Sequence, residues 1–216
     1  MFRFKCFGVP VIVEWWFWLS GVLLGGGLNA STQRQWEFVG IWCAVVFVSI
    51  LVHEMGHALV GRRYGATPMI KLHGFGGATY LPGAWFTRKQ NILVSAAGPA
   101  AGLALGFAIL LVRAAGVIPE DSIHVQRAFA YALYVNIFWS FFNLLPVQPM
   151  DGGQILGDVL GPGRIRITNS IGMVVALALA YWAWQIHQPF LLMFMLYFAY
   201  VNYQNLELEG GVIRGR

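Results

Sequence analysis

Residues 49–65 read SILVHEMGHALVGRRYG. The stretch sets His53, Glu54 and His57 in an otherwise apolar run that ends at Arg62 and Arg63. On a helix, positions 53 and 57 share one face, one turn apart. Two imidazoles at that spacing can share a zinc ion, and Glu54 stands beside them, facing a metal-bound water. Zinc lowers the pKa of such a water to about 7, and a neighbouring carboxylate can take its proton and pass it to a leaving amine. The blander alternative is a set of polar helix residues paired among themselves. In an apolar span that alternative weakens, because ionisable groups inside a membrane are costly and mark functional sites by default.

The surrounding composition says that the span is membranous. The 216 residues are 58% hydrophobic and only 11% charged, against roughly 25% charged in soluble domains. So few charges cannot cover a water-facing surface. The formal charge is +5, but the basic residues come in ones and twos, without the stripe that nucleic acid binding requires. Cys6 and Cys43 are the two cysteines. Their separation suggests neither a disulfide framework nor a paired-cysteine metal site, and packing is their expected role.

A transmembrane helix needs about 20 mostly apolar residues. Six segments qualify, at about 10–28, 36–61, 91–114, 125–145, 167–186 and 189–206. The expected fold is therefore an all-α polytopic membrane protein of about six transmembrane helices. The N-terminal run, with Glu14 and several tryptophans, reads as a retained helix rather than a cleaved signal peptide. Basic residues collect on the cytoplasmic side. Placing both termini inside puts Arg3, Lys5, Arg62, Arg63, Arg88 and Lys89 there and leaves Arg34, Arg113 and Arg127 outside. Residues 66–86, ATPMIKLHGFGGATYLPGAWF, fit no helix. They read as a short membrane-associated β segment between the second and third spans, lying over a wet cavity because irregular backbone at that depth needs protein or water against it.

A catalytic zinc takes three protein ligands and keeps one position open. His124 and His187 fall on the outer side under this topology. His73 and Glu14 remain possible, but Asp151 in PMDGG is the stronger candidate. The second span carries its motif toward the cytoplasmic side, and the fourth runs inward and delivers Asp151 at that end. An ordinary Asp-Gly turn is the simpler reading of Asp151, and it leaves the matching depth unexplained. Pro146 and Pro149 should break the fourth helix, with Gly152 and Gly153 allowing a tight reversal. Asn143 either caps backbone groups freed by the prolines or donates to the oxyanion formed when a carbonyl is attacked. Gly98, Gly102 and Gly106, spaced by four, make a smooth face suited to close helix packing.

The motifs HEMGH, GFGGATY, SAAGPAAG and NLLPVQPMDGG, in that order over roughly residues 40–160, resemble the site-2 protease family of intramembrane zinc metalloproteases. The resemblance implies that His53, His57 and Asp151 hold one zinc ion, that Glu54 is the general base and that Asn143 supports the transition state. It also implies that Gly74, Phe75, Gly76, Gly77, Ala78 and Thr79 hold substrate as an added strand, a mode that suits an unwound helical substrate. Many members carry a PDZ domain or nucleotide-sensing domains. Here the expectation is a minimal member, a single intramembrane metalloprotease domain over residues 1–216.

The expected function is zinc-dependent hydrolysis of a peptide bond in or near the membrane span of a substrate. That substrate would be a single-pass membrane protein or a signal-peptide remnant, and the lipid bilayer is the other expected partner. A prokaryotic cell membrane is the expected location. The rivals are a metal transporter or sensor and a silent scaffold using the same zinc site. A transporter should show more polar residues along a path through the bundle, and a purely structural zinc has no use for Glu54.

Overall fold

The computed structural model describes residues 1–119 and 121–214. Its elements are strands β1 (Phe2–Cys6) and β2 (Val9–Val13), helices α1 (Trp15–Leu24) and α2 (Gln33–Arg63), strands β3 (Met69–His73) and β4 (Gly76–Tyr80), then helices α3 (Arg88–Ala114), α4 (Ile123–Asn143), α5 (Asp151–Leu160), α6 (Ile165–Gln185) and α7 (Pro189–Arg214). They fall into two compact units. One holds residues 1–85 and 97–141, and the other residues 86–96 and 142–216.

The first unit is built on a four-stranded sheet in the order β1-β2-β3-β4. The expected β segment is the antiparallel β3–β4 hairpin. The other half of the sheet comes from the N-terminus, where a helix was expected. The span read at 10–28 is not one helix. Val9, Val11 and Val13 point into the core while Pro10 and Ile12 do not, a period-two pattern of β-branched residues that suits a strand. Phe7 and Gly8 both take positive φ, 47° and 78°, which closes β1 onto β2 as a two-residue hairpin. What remains helical is α1, whose 10 residues reach about 15 Å, half of a hydrocarbon core of about 30 Å. β2 then pairs in parallel with β3, and Val9, Val11, Val13, Phe17, Ile50, Met55, Ala58, Ile70 and Leu72 form one core between sheet and helices.

α2 is 31 residues long, about 46 Å. Thr32 and Gln35 start it with a capping box, each side chain bonded to the other's backbone, which satisfies two otherwise orphaned donors. Arg62 and Arg63 close it, where cations complement the helix dipole, and Arg62 Nη1 also donates to Phe7 O of the β1–β2 turn at 2.8 Å. α3 packs backbone-close on α2. A Cβ at Gly56 would lie 2.8 Å from the Ala97 carbonyl carbon. α4 packs on α3 at Gly106, where a Cβ would meet Ile137 Cγ1 at 3.1 Å. It is tied to α2 by Asn136 Nδ2, which donates to Ser49 Oγ at 2.9 Å. Both cysteines pack as expected: Cys6 lies against the core, and Cys43 Sγ sits 3.3 Å from where a Gly21 Cβ would be.

In the second unit, α6 and α7 pack on each other around Val147, Met150, Ala176, Ala180, Met195 and Ala199. α5 was not expected as a helix. It starts at Asp151, where a carboxylate suits the positive end of the dipole, and stops at Gly161, whose φ is 86°. Arg88 donates to the Asp158 carbonyl through Nε at 2.8 Å and to the Val159 carbonyl through Nη2 at 2.9 Å, satisfying carbonyls at its C-terminal end.

Among the described residues, the helices long and apolar enough to cross a membrane are Gln33–Arg63, Arg88–Ala114 and Pro162–Gln185. They coincide with the second, third and fifth expected spans.

Candidate metal centre

His53 and His57 are presented by α2 with relative exposures of 3% and 7%. Their Nε2 atoms lie 3.2 Å apart and the rings are steeply inclined, at 77°. This is the one-face, one-turn relationship expected from the spacing, with the same nitrogen of each ring turned to a common point. That point is kept open by Gly98 of α3. A Cβ there would stand 2.5 Å from His57 Cε1 and 2.8 Å from His53 Nε2, well inside van der Waals contact. Gly98 was read as part of a packing face. Gly102 and Gly106 do serve that purpose, meeting Ser140 and Ile137, but Gly98 leaves room at the imidazole nitrogens.

Glu54, one residue along α2, is 5% exposed and is gripped from the sheet. Thr79 of β4 brings its hydroxyl to 2.7 Å from Glu54 Oε2 and 3.0 Å from the Glu54 carbonyl oxygen. Gly77, two residues earlier on the same face of the strand, has no side chain because a Cβ would lie 2.6 Å from Glu54 Oε1. Thr79 and Gly77 were expected to face substrate. The structure turns them on Glu54. Of the other residues in that stretch, Gly74 and Phe75 form the β3–β4 turn, and Gly76, with φ of 125°, approaches Trp139. Ala78 pairs with Lys71 across the hairpin. No strand pairs with the outer edge of β4 among the described residues.

Asp151 is 8% exposed and is the first residue of α5. Its place at a helix start, not in a turn, corrects the role expected for Gly152 and Gly153. Both are helical, and neither has a positive φ. They are needed for close approach: a Cβ on Gly152 would meet Leu145 O at 2.5 Å, and one on Gly153 would meet Val147 O at 2.6 Å. The loop 144–150 therefore lies directly on the first turn of α5. Asn143 is half-buried and ends α4, just before the prolines, as expected for a broken helix.

The ligand atoms that His53, His57 and Asp151 offer all lie within 4.8 Å of one another. Two imidazole nitrogens and one carboxylate, all buried, form a catalytic-type zinc donor set that leaves a coordination position open. The glycine at 98 supplies the space that an ion needs. The alternatives to Asp151 are committed elsewhere. Glu14 forms an ion pair with Lys71 at 2.8 Å. His73 Nδ1 accepts from the Phe75 N–H at 3.2 Å and is not among the grouped ligands. Burial lowers the His73 pKa from its usual 6.5, with Glu14 opposing and Lys71 assisting.

Comparison with known proteins agrees with this geometry. The family model of peptidase family M50 matches residues 118–182. YwhC of Bacillus subtilis, a candidate zinc metalloprotease, is 30% identical over 168 residues, covering 62% of this chain and 77% of that protein. Rip3 of Mycobacterium tuberculosis, also a candidate zinc metalloprotease, is 34% identical over 79% of this chain and 47% of its own length. The chain thus spans about half the length of Rip3. The solved structure of the site-2 protease from Methanocaldococcus jannaschii superposes with a TM-score of 0.70 at 25% identity, covering 95% of this chain and 94% of that one.

Proposed function

The chain belongs to peptidase family M50, and from that premise we propose that it is a zinc endopeptidase acting within the membrane. Its substrate is a single-pass membrane protein or a signal-peptide remnant, cut in or near the spanning segment. The observation that carries this reading is the buried carboxylate of Glu54, oriented by Thr79 next to two imidazoles whose nitrogens converge. A site that only stored or moved metal would have no need of an oriented base.

His53, His57 and Asp151 hold the ion. When bound there, zinc supplies Lewis acidity toward water and toward a carbonyl oxygen. Glu54 takes the proton of the attacking water and returns it to the leaving amine. Thr79 keeps the carboxylate in one orientation while this happens, so little reorganisation remains for the reactive step. Asn143 donates a hydrogen bond to the oxygen on which negative charge develops. The outer edge of β4 takes an extended peptide as an added strand, with Gly74, Phe75, Gly76 and Ala78 as the contact surface. A helix hides its peptide bonds, so substrate unwinds to be added there.

The apolar helices α2, α3 and α6 cross the bilayer. α4 and α7 have 21 and 26 residues, also enough to span it. We infer a prokaryotic cell membrane, with Arg62 and Arg63 at the end of α2 and Arg88 and Lys89 at the start of α3 on its cytoplasmic side.

The test is hydrolysis of a labelled single-pass peptide in vesicles by wild type and Glu54→Gln, with zinc measured in both. Zinc retained and cleavage reduced by at least about a hundredfold, the usual weight of a general base, is the expected result. Cleavage by Glu54→Gln at the wild-type rate overturns the assignment. Wild type that holds zinc and cuts no membrane peptide favours a metal-handling role.

A further inference from the structure

We propose that Asn202 of α7 is a positioning residue for the metal site, fixing the loop that delivers Asp151. The inference rests on Asp151 being a zinc ligand. Asn202 is completely buried, and its amide grips the main chain of a single residue. Nδ2 donates to the Gln148 carbonyl at 2.9 Å, and Oδ1 accepts from the Gln148 N–H at 3.4 Å. A second Nδ2 hydrogen goes to Phe198 O, one turn back on α7, at 2.7 Å. The amide is therefore held in one orientation by its own helix and presented to the loop as a strand edge would be.

Val147 and Met150 anchor the loop in the core by packing, but its N–H groups have few partners elsewhere. Residues 146–150 read PVQPM, and the two prolines have no N–H. Of the three N–H groups left, Val147 donates to Leu145 O at 2.7 Å and Met150 to Val147 O at 2.8 Å. Both bonds stay local. The Gln148 N–H is the one that leaves the segment, and it leaves to Asn202. Buried backbone donors need partners, so Asn202 sets where the middle of the loop lies. Asp151 is three residues on. α6 makes room for this arrangement with Gly172, where a Cβ would stand 2.9 Å from Asn202 Cγ and 3.3 Å from Pro146 O. One glycine thus clears both the tether and the loop.

Groups that orient metal ligands at one remove typically change metal affinity ten- to a hundredfold when lost. The experiment is a zinc competition titration against a chromophoric chelator, on full-length detergent-purified protein. The variants are Asn202→Leu, Gly172→Ala and Asp151→Ala, with Ala183→Gly as a buried α6 control about 16 Å along the helix from Gly172. Melting of the zinc-free proteins is recorded beside each. Asn202→Leu should weaken zinc binding about ten- to a hundredfold, and Gly172→Ala should weaken it in the same direction. Ala183→Gly should lower the melting temperature without that loss. If Asn202→Leu does not fold, Gly172→Ala carries the test alone. Unchanged affinity in Asn202→Leu and Gly172→Ala, while Asp151→Ala loses zinc, overturns the proposal. So does an equal loss in Ala183→Gly, which would make the effect one of general stability. Zinc retained by Asp151→Ala would instead show that the ligand assignment itself had failed.

Discussion

The hydroxyl of Thr79 lies 2.7 Å from Glu54 Oε2, so a strand of the sheet and the carboxylate of α2 are joined by one short hydrogen bond. A hydrogen bond to a carboxylate contributes about 1.5–3 kcal/mol, and here that energy restrains a rotamer. Thr79→Val keeps the shape and removes the donor. It should lower kcat about ten- to a hundredfold with zinc content unchanged and KM little altered, and Thr79→Ser should restore most of the rate. A rise in KM at constant kcat would return Thr79 to substrate contact.

Gly98→Ala should displace the ion. The added methyl would occupy the space at His53 and His57, and overpacking of this kind costs about 1–3 kcal/mol even where neighbours can yield. Elemental analysis of the purified variant should find well under one zinc per chain, with the helical circular dichroism preserved. A full complement of zinc would mean that the ion sits clear of the α3 side.

His73→Gln should leave zinc binding intact, since His73 serves the β3–β4 turn through the Phe75 N–H. Chelator competition giving the same affinity as wild type is the expected result, and a tenfold loss would reopen the ligand set.

The same histidine gives the hairpin a pH dependence. Burial depresses the folded-state pKa of His73 below 6.5, so the unfolded chain binds more protons than the folded one as pH falls. Stability from this group is therefore complete above pH 6.5 and is lost as pH falls through the lower folded value. Protonation also removes the Nδ1 lone pair that accepts from Phe75. Protection of the Phe75 and Gly76 amides, measured relative to their slower intrinsic exchange at lower pH, should fall on acidification, and His73→Gln should abolish that response.

Much of the site was legible before folding was considered. HEMGH announces itself because an i, i+4 histidine pair has one geometric consequence on a helix, and an apolar run leaves little else for it to be. Asp151 was the expected third ligand on an argument of depth, and its carboxylate does lie with the two imidazoles. The N-terminal strands were harder to see. FRFKC and VPVIV are short, and in a chain this hydrophobic the period-two alternation is masked by apolar residues on both faces. Length and hydropathy favoured a helix, and pairing of β2 with β3, distant in sequence, decided otherwise. Glycines were read by the roles that local rules assign them, as packing faces and turns. At position 98 the deciding fact was a neighbour from elsewhere in the chain, and at 152 and 153 it was the loop just before them.

By itself the sequence determined the chemistry: a membrane-borne helix with two imidazoles and a carboxylate, a proline-broken segment ending in Asp151, and a glycine-rich β segment near them. These follow from periodicity and the cost of burying charge, both local properties. Only the tertiary structure decided which groups act on which. Thr79 faces Glu54, Gly98 opens the space at the histidines, and Asn202 takes hold of Gln148. Each depends on two segments meeting within about 3 Å, the reach of one hydrogen bond or one methyl group, and spacing along the chain carries no record of such a meeting.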